Sequence, residues 1–483
     1  MSDYIKIEKN NLEDPNNKLK SSINEECDSN TDPEGEENLY KEIKETEIDN
    51  DGENRNIKEE DKVGVCGATT TIIKAIIGSG ITNMPMLFKV LGIIPALILM
   101  LINLLLHINT VRFLMICKKI TQRYSYSFYS RLSMGTFGSV MIKAAISLLS
   151  FCTCCVYLKF FGNTIYMLVT LFIEQKEGFL YTKNFYIILV FFVIMPLMFK
   201  RDLSALKNPA KIGVFGIFLS CITTIIVFIY KWINGYQLHI DSKFLYPSGS
   251  WMEIVTIIPA SLDAFIFQHN TFPIYTQLKP RNSATMMKSS FYGVFFSFFA
   301  FSTIGILGLF SYGLSINDFI LVYIREDIDN FKGDKFIFFC SFIMIISFFV
   351  SVVFSFPINF LNTRNNMISL VRFFKDHVFA KKQQKTEHTE FDTGLSLDRG
   401  LGYSLFTIGI YVFTLLVAIL AKRIIEISNV SGVSCNNYIS MLSPSLFILL
   451  LKKQWDKDKI LSVVIFFFGI VMFIAFIVSQ ILG

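Results

Sequence analysis

The sequence predicts an all-α membrane protein that crosses the bilayer eleven times. Of its 483 residues, 52% are hydrophobic and only 17% are charged, and the mean hydropathy is +0.48. A water-soluble chain of this length needs far more charge on its surface, so these values place the sequence in the multi-pass membrane class. In addition, two apolar segments contain glycine, proline and polar residues at mid-bilayer depth, which predicts helices that are interrupted inside the membrane.

An acidic segment precedes the first apolar one. Residues 1–62 hold about 20 acidic and about 9 basic side chains and almost no aromatic ones, a composition typical of a disordered tail. We therefore predict a disordered acidic tail at 1–62 and a transmembrane domain at 63–483. Two roles for the tail stay open: a solvated leader, or a docking segment for a cytosolic partner.

Eleven apolar segments approach the ~20 residues that a helix needs to cross the hydrocarbon core. They lie at 65–87, 90–114, 140–172, 185–199, 212–230, 252–274, 290–312, 336–361, 401–421, 432–451 and 460–482. The loops after the even-numbered spans hold about 22 Lys and Arg residues and the opposite loops about 10, so the positive-inside rule predicts a cytoplasmic N-terminus. Because the basic residues fall between apolar spans, we expect a lipid bilayer around the chain and no nucleic-acid partner.

The first span is interrupted by the sequence Ile-Gly-Ser-Gly-Ile-Thr-Asn-Met-Pro at 77–85. Glycine and serine weaken a helix, and Pro85 removes a backbone donor. Lipid cannot satisfy the backbone groups that such a break exposes, so the break is expected to line a polar cavity or to contact a ligand. The substrate-binding candidates in this stretch are Ile77, Gly78, Ser79, Gly80 and Thr82.

The sixth span has a similar interruption, in which Pro259 and Pro273 flank a polar cluster. Its substrate-binding candidates are Phe265, Phe267, Gln268 and Asn270. Two interrupted helices five spans apart indicate an inverted-repeat transporter. We therefore predict discontinuous helices 1 and 6, a first repeat at 65–230, a second repeat at 252–451 and an extra helix at 460–482.

The ends of interrupted helices favour a particular kind of ligand. A half-helix N-terminus presents free N–H groups that suit a carboxylate, and a half-helix C-terminus presents free carbonyls that suit an ammonium group. One ligand that needs both is an α-amino acid. The sequence therefore predicts a secondary-active or facilitative transporter of amino acids with no cofactor, in the plasma membrane or a vacuolar or lysosome-like membrane.

Three stretches resemble the amino acid/auxin permease (AAAP) family and its sodium-coupled neutral amino acid transporter branch. Residues 77–92 are similar to the first-helix signature, and residues 267–279 are similar to the sixth helix and its following loop. Residues 355–358 with Arg364 resemble the eighth helix. The resemblance implies eleven helices in a LeuT/APC-like fold with a five-plus-five inverted repeat, and it implies amino acid transport. In sodium-coupled members it also implies a sodium site between helices 1 and 8. The Asn-, Lys- and Ile-rich composition is typical of an AT-rich genome such as that of an apicomplexan-like protist.

The sequence departs from the sodium-coupled members at Lys74, where those members have an asparagine. The Lys74 ammonium could take the place of the sodium ion, near Ser351 and Ser355 of span eight. Alternatively, the side chain could extend toward a membrane interface. Charged side chains deep in the bilayer are energetically costly and usually functional. We therefore expect sodium-independent transport. Asp263 could hold a coupling proton or pair with Lys74, and His269 could titrate or bind the unwound backbone.

Four further polar residues lie inside the predicted spans. Lys143 and Lys159 are expected to face water or an interface, and Asn103 and Asn163 to line the cavity or join helices. A second function stays open: an amino-acid-sensing receptor on the same fold that signals through the tail. The sequence contains no nucleophile elbow or metal-hydrolase motif and no clustered metal ligands, so an enzyme and a metal site are not expected.

Overall fold

The computed structural model describes residues 62–121, 123–172, 178–179, 182–199, 207–316, 320–330, 334–383, 401–421 and 432–482. The predicted tail at 1–62 lies almost entirely outside this range. In the described part of the chain the regular elements are helices. Fifteen of them are α-helices: α1 (Val65–Ile76), α2 (Met84–Leu91), α3 (Ile93–Thr121), α4 (Tyr126–Val169), α5 (Lys183–Met198), α6 (Lys207–Ile233), α7 (Trp251–Asp263), α8 (Thr271–Thr276), α9 (Ser283–Tyr312), α10 (Ile320–Asn330), α11 (Lys335–Val353), α12 (Phe356–Gln383), α13 (Leu401–Leu420), α14 (Ser443–Leu451) and α15 (Lys457–Leu482).

The architecture is that of a multi-pass helical membrane protein. Among the described residues, eight helical stretches are long and apolar enough to cross a bilayer, and α1 and α5 are shorter apolar helices. The first and sixth predicted spans consist of shorter helical pieces, joined by 3-10 turns at Ser79–Asn83 and Gln268–Asn270. The predicted all-α membrane class is thus confirmed, whereas the number of eleven crossings stays a prediction.

Two predicted boundaries differ from the structure by more than ten residues. The third span was expected at 140–172, but α4 begins at Tyr126 and contains a kink at Met134 and Gly135, where Gly135 has a φ of +65°. Glycine tolerates that left-handed backbone, so two helical pieces can meet there. The eighth span was expected to end at 361, but α12 continues to Gln383. Hydropathy could not detect this extension because it is polar.

Small residues on α9 allow the first helical pieces to pack closely against it. A Cβ on Gly293 would lie 2.5 Å from a methyl carbon of Ile72 in α1. A Cβ on Gly305 would lie 2.3 Å from the ring of Phe88 in α2, and both distances are far shorter than a van der Waals contact. Close approach through small residues is the usual way in which membrane helices associate. In this manner α9 holds α1 and α2 on either side of the first interruption.

Lys159 contradicts the expectation that it faces water or an interface. Its side chain in α4 is buried, and its ammonium donates hydrogen bonds to the carbonyls of Ala418 and Ala421. These carbonyls lie at the C-terminal end of α13, where backbone acceptors have no helical partner and the helix dipole is negative. The lysine therefore stabilises a helix end inside the protein.

A buried ion pair joins α10 to the helices beside it. The ammonium of Lys231 in α6 lies 2.6 Å from a carboxylate oxygen of Asp327 in α10, and the two side chains are only 4% and 8% exposed. The hydroxyl of Tyr312, the last residue of α9, donates to the same oxygen at 2.8 Å. Because water cannot reach either charge freely, each depends on the other for compensation.

Replacing Lys231 by Ala is expected to lower the free energy of unfolding by about 3–5 kcal/mol, because the Asp327 carboxylate would stay buried without its counter-ion. The measurement is the melting temperature of the purified protein in detergent. Lys243→Ala is the matched control: the Lys243 side chain is 86% exposed and its nitrogen lies 3.9 Å from Asp241, so a loss below about 1 kcal/mol is expected. Equal melting temperatures for the two variants would contradict a structural role for the buried pair.

Candidate functional site

The first interruption lies between α1 and α2. Helix α1 ends at Ile76, Ile77 is extended with φ −86° and ψ 94°, and a 3-10 turn follows at Ser79–Asn83 before α2 begins. Pro85 is the second residue of α2, a position where its missing N–H would have no helical partner in any case. Local chemistry therefore explains both why one helix stops here and why the next one can start.

Gly78 is required at this interruption by a close contact. A Cβ at this residue would lie 2.2 Å from the hydroxyl oxygen of Tyr157, a buried residue of α4. The same hydroxyl interacts with the side chain of Ser355, in the turn between α11 and α12. Sequence analysis missed Tyr157, because a tyrosine in a long apolar span has no local signature of function.

Gly80 differs from Gly78 in its surroundings. A Cβ on Gly80 would meet no atom within 4 Å, and the residue is exposed although Ile81 and Thr82 beside it are buried. The backbone of the 3-10 turn therefore borders open space. Ile77 is also buried, whereas the side chain of Ser79 lies outside the described part of the structure.

The Lys74 side chain is buried at this interruption, with 1% of its surface exposed. Its ammonium donates to the hydroxyl oxygen of Ser351 at 2.8 Å and to the carbonyl oxygen of Ile77 at 3.3 Å. Gly213 of α6 makes room for the aliphatic part, since a Cβ there would lie 2.7 Å from Cε of Lys74. The ammonium thus lies at the C-terminal end of α1, where positive charge is favoured. Sequence analysis left two positions open for the Lys74 ammonium, and in the structure it is buried beside Ser351 of span eight.

The second interruption lies between α7 and α8. Helix α7 ends at Asp263, residues 264–267 are not helical, and the 3-10 turn Gln268–Asn270 leads into α8. Phe267 has φ −152° and ψ 6°, outside the helical region. The side chain of Asp263 is not among the described ones, so its predicted pairing with Lys74 stays a prediction.

The polar side chains of the 3-10 turn are held by neighbouring helices. Gln268 is fully buried, and its amide oxygen accepts from the backbone N–H of Phe267 at 3.0 Å. Its amide nitrogen contacts His107 Nδ1 at 2.7 Å and Thr110 Oγ1 at 3.0 Å, both in α3. Sequence analysis missed His107 and Thr110. A usable signal existed, because Asn103, His107 and Thr110 are spaced by four and three residues and therefore share one helical face.

His269 and Asn270 form a second polar contact of this turn. The Asn270 amide nitrogen lies 2.8 Å from Nε2 of His269, and its amide oxygen accepts from Asn362 of α12 at 2.9 Å. Phe265 and Phe267 are fully buried. The Phe265 ring packs edge-on against Phe301 of α9, with the ring centroids 5.2 Å apart.

Two elements connect the interruptions. Helix α9 packs against the turn Ser79–Asn83 and also contacts Phe265 through Phe301. The α11–α12 region contacts the first interruption through Ser351 and the second through Asn362. Among the described residues, no three His, Cys, Asp or Glu side chains are grouped so that they could hold a metal ion.

Comparison with known proteins agrees with this architecture. Residues 61–482 match the family model described as "Transmembrane amino acid transporter protein". The chain is 25% identical over 345 residues to the amino acid transporter AVT6C of Arabidopsis thaliana, a match that covers 68% of this chain and 75% of that one. It is 21% identical over 417 residues to vacuolar amino acid transporter 5 of Saccharomyces cerevisiae, covering 78% and 86%. The human sodium-coupled neutral amino acid transporter 7 is 23% identical over 268 residues, covering 54% and 57%.

Two solved structures share the fold. Mhp1, a nucleobase-cation-symport-1 family transporter, superposes with a TM-score of 0.50 at 10% identity, covering 88% of this chain and 91% of that one. MhsT in complex with L-phenylalanine gives a TM-score of 0.50 at 12% identity, covering 86% and 98%. At such identities the likeness concerns the fold alone. The family match spans the whole described range and confirms the resemblance predicted from the first- and sixth-helix motifs. The chain belongs to the transmembrane amino acid transporter protein family, a family of transporters and not of enzymes.

Proposed function

We propose that this protein carries α-amino acids across a membrane and binds them between the two interruptions. The observation on which the proposal depends is the open space beside Gly80, in the 3-10 turn of the first interruption. This interruption shares α9 and the α11–α12 region with the second one. The relatives with similar sequences are named as amino acid transporters, which supports the substrate class. We place the substrate carboxylate at the N–H groups of the 3-10 turn and its ammonium at helix-end carbonyls.

The same proposal includes the topology. We take α1 with α2, and α7 with α8, as the discontinuous helices 1 and 6 of a five-plus-five inverted repeat with eleven crossings. Such pairs of interrupted helices form the central site of many secondary transporters. The positive-inside pattern supports a cytoplasmic N-terminus. The relatives include vacuolar transporters, so a vacuolar membrane and the plasma membrane are the two candidate locations.

Lys74 supports transport that does not depend on sodium. A cation site at this place would need oxygen ligands from the end of α1 and from α11, and the ammonium of Lys74 already binds two such oxygens, those of Ile77 and Ser351. A fixed ammonium at a helix C-terminus supplies the charge that a bound cation would otherwise provide. Asp263 and His269 are our candidates for a coupling proton, and Ser355 supports the site through Tyr157.

Uptake of a radiolabelled amino acid into proteoliposomes tests this role of Lys74. We expect wild-type uptake to be unchanged when sodium is replaced by N-methyl-D-glucamine, and Lys74→Ala to reduce uptake by about tenfold or more, because a buried charge-assisted hydrogen bond is lost. Lys243→Ala, at an exposed lysine, is the control and should transport normally. Collapse of wild-type uptake without sodium would refute sodium independence, and uptake at two external pH values would reveal proton coupling.

The two glycines of the first interruption provide a second test. Gly80→Ala places a methyl group in open space, so we expect an unchanged melting temperature and a KM raised by about threefold or more, because the methyl group competes with substrate. Gly78→Ala should lower the melting temperature, because the new methyl group meets the Tyr157 hydroxyl. Adding Tyr157→Phe to Gly78→Ala should restore part of the loss. If Gly80→Ala leaves KM unchanged, the substrate does not lie beside this turn.

A further inference from the structure

A hydrogen-bond network joins the second interruption to α3, and its geometry determines which atom of each pair is the donor. The starting point is the backbone N–H of Phe267, which can only donate, and which lies 3.0 Å from Gln268 Oε1. This contact fixes which end of the Gln268 amide is oxygen. The other end is therefore the NH₂ group, and it faces Thr110 and His107.

The α3 side of the network agrees with this assignment. The Thr110 hydroxyl donates to the carbonyl oxygen of His107 at 3.0 Å, so its lone pairs stay available to accept from Gln268. The second amide hydrogen points to His107 Nδ1 at 2.7 Å, and that nitrogen must then be an acceptor. An imidazole that accepts at Nδ1 is neutral and carries its proton on Nε2. Each of these contacts therefore pairs a donor with an acceptor.

The network also explains how the interruption is tolerated in a low-dielectric environment. Phe267 lies in the non-helical stretch after α7, so its N–H needs a partner outside the regular helical pattern. Leaving such a group unpaired in an apolar surrounding costs several kcal/mol. The Gln268 side chain takes the role that a carbonyl one turn earlier has in a continuous helix. One turn before His107, Asn103 donates to Ser261 of α7 at 3.2 Å and holds the helix on the other side of the break.

We propose that Gln268, His107 and Thr110 are positioning residues for transport. They hold residues 265–267 in the non-helical conformation that the substrate meets, and the Gln268 side chain itself does not contact the substrate. This inference rests on the proposed function and revises the sequence-based assignment of Gln268 to substrate binding. The chemistry requires a donor amide at 268, an acceptor at His107 Nδ1 and a hydroxyl acceptor at 110.

Matched variants of the full-length protein separate positioning from general stability. Gln268→Met removes the network with little change in side-chain volume, and His107→Leu removes the acceptor. His107→Asn restores an acceptor oxygen near the position of Nδ1. Thr414→Val is the matched control for Thr110→Val. Both threonines are fully buried, and each hydroxyl donates to a carbonyl of its own helix. Gln268 contacts Thr110 but not Thr414.

Two measurements are made on each variant. Amide hydrogen exchange over residues 264–270 reports the conformation of the interruption and does not require transport. Uptake kinetics in proteoliposomes give KM and the maximal rate. We expect His107→Leu and Thr110→Val to speed exchange and raise KM, each by about tenfold, which corresponds to one lost hydrogen bond with Gln268. Gln268→Met loses all three contacts of the amide, so its effect on both measurements should be at least as large. His107→Asn and Thr414→Val should stay within about threefold of wild type.

Several outcomes would overturn the inference. If Gln268→Met raises KM without faster exchange, Gln268 contacts the substrate directly. If His107→Asn is as defective as His107→Leu, the acceptor at Nδ1 is not the property that matters. If exchange is unchanged in all variants, the network does not hold the interruption. A wild-type protein that transports no amino acid would instead refute the proposed function, and the exchange measurements would still decide the role of the network.

Discussion

The structure depends on one constraint: backbone N–H and C=O groups away from water must have hydrogen-bond partners. Regular helices satisfy these groups internally, but each interruption leaves some of them to side chains. At the first interruption the Lys74 ammonium binds the Ile77 carbonyl, and at the second the Gln268 amide oxygen binds the Phe267 N–H. At the first interruption a cation thus donates to a backbone carbonyl, and at the second a neutral amide oxygen accepts from a backbone N–H.

Three buried cations in the described chain donate hydrogen bonds to carbonyls at helix ends. Lys74 lies at the end of α1, Lys159 binds carbonyls at the end of α13, and Arg364 donates to the carbonyl of Met198 at the end of α5 at 2.7 Å. In each case a cationic side chain meets the negative end of a helix dipole and the carbonyls that have no helical partner. These side chains therefore lower the cost of ending helices inside the protein. Lys74 differs from the other two because its helix ends beside the open space at Gly80.

Close packing is the second requirement of the site. Gly78 allows the Tyr157 hydroxyl to approach the backbone, and Gly213 leaves space for the Lys74 side chain. At both glycines the lack of a Cβ permits a close contact with another side chain, and it does not serve to permit an unusual φ angle. The polar groups at the first interruption come from α1, α4 and the α11–α12 region, which are far apart in the sequence, and α6 contributes the space beside Gly213. The geometry of the site is therefore a property of the assembled helices.

The sequence by itself determined the membrane class, the family and the two stretches where glycine, proline and polar residues collect, because hydropathy and helix-breaking chemistry are local properties. It could also have shown the polar face of Asn103, His107 and Thr110, which follows from helical periodicity. It could not show the extension of α12 beyond residue 361, since a polar helix has no hydropathy signal. Only the tertiary structure decided that Lys74 meets Ser351, that Tyr157 faces Gly78 and that Gln268 turns toward α3. Each of these contacts joins residues that are distant along the chain, and helix packing decides which residues come together.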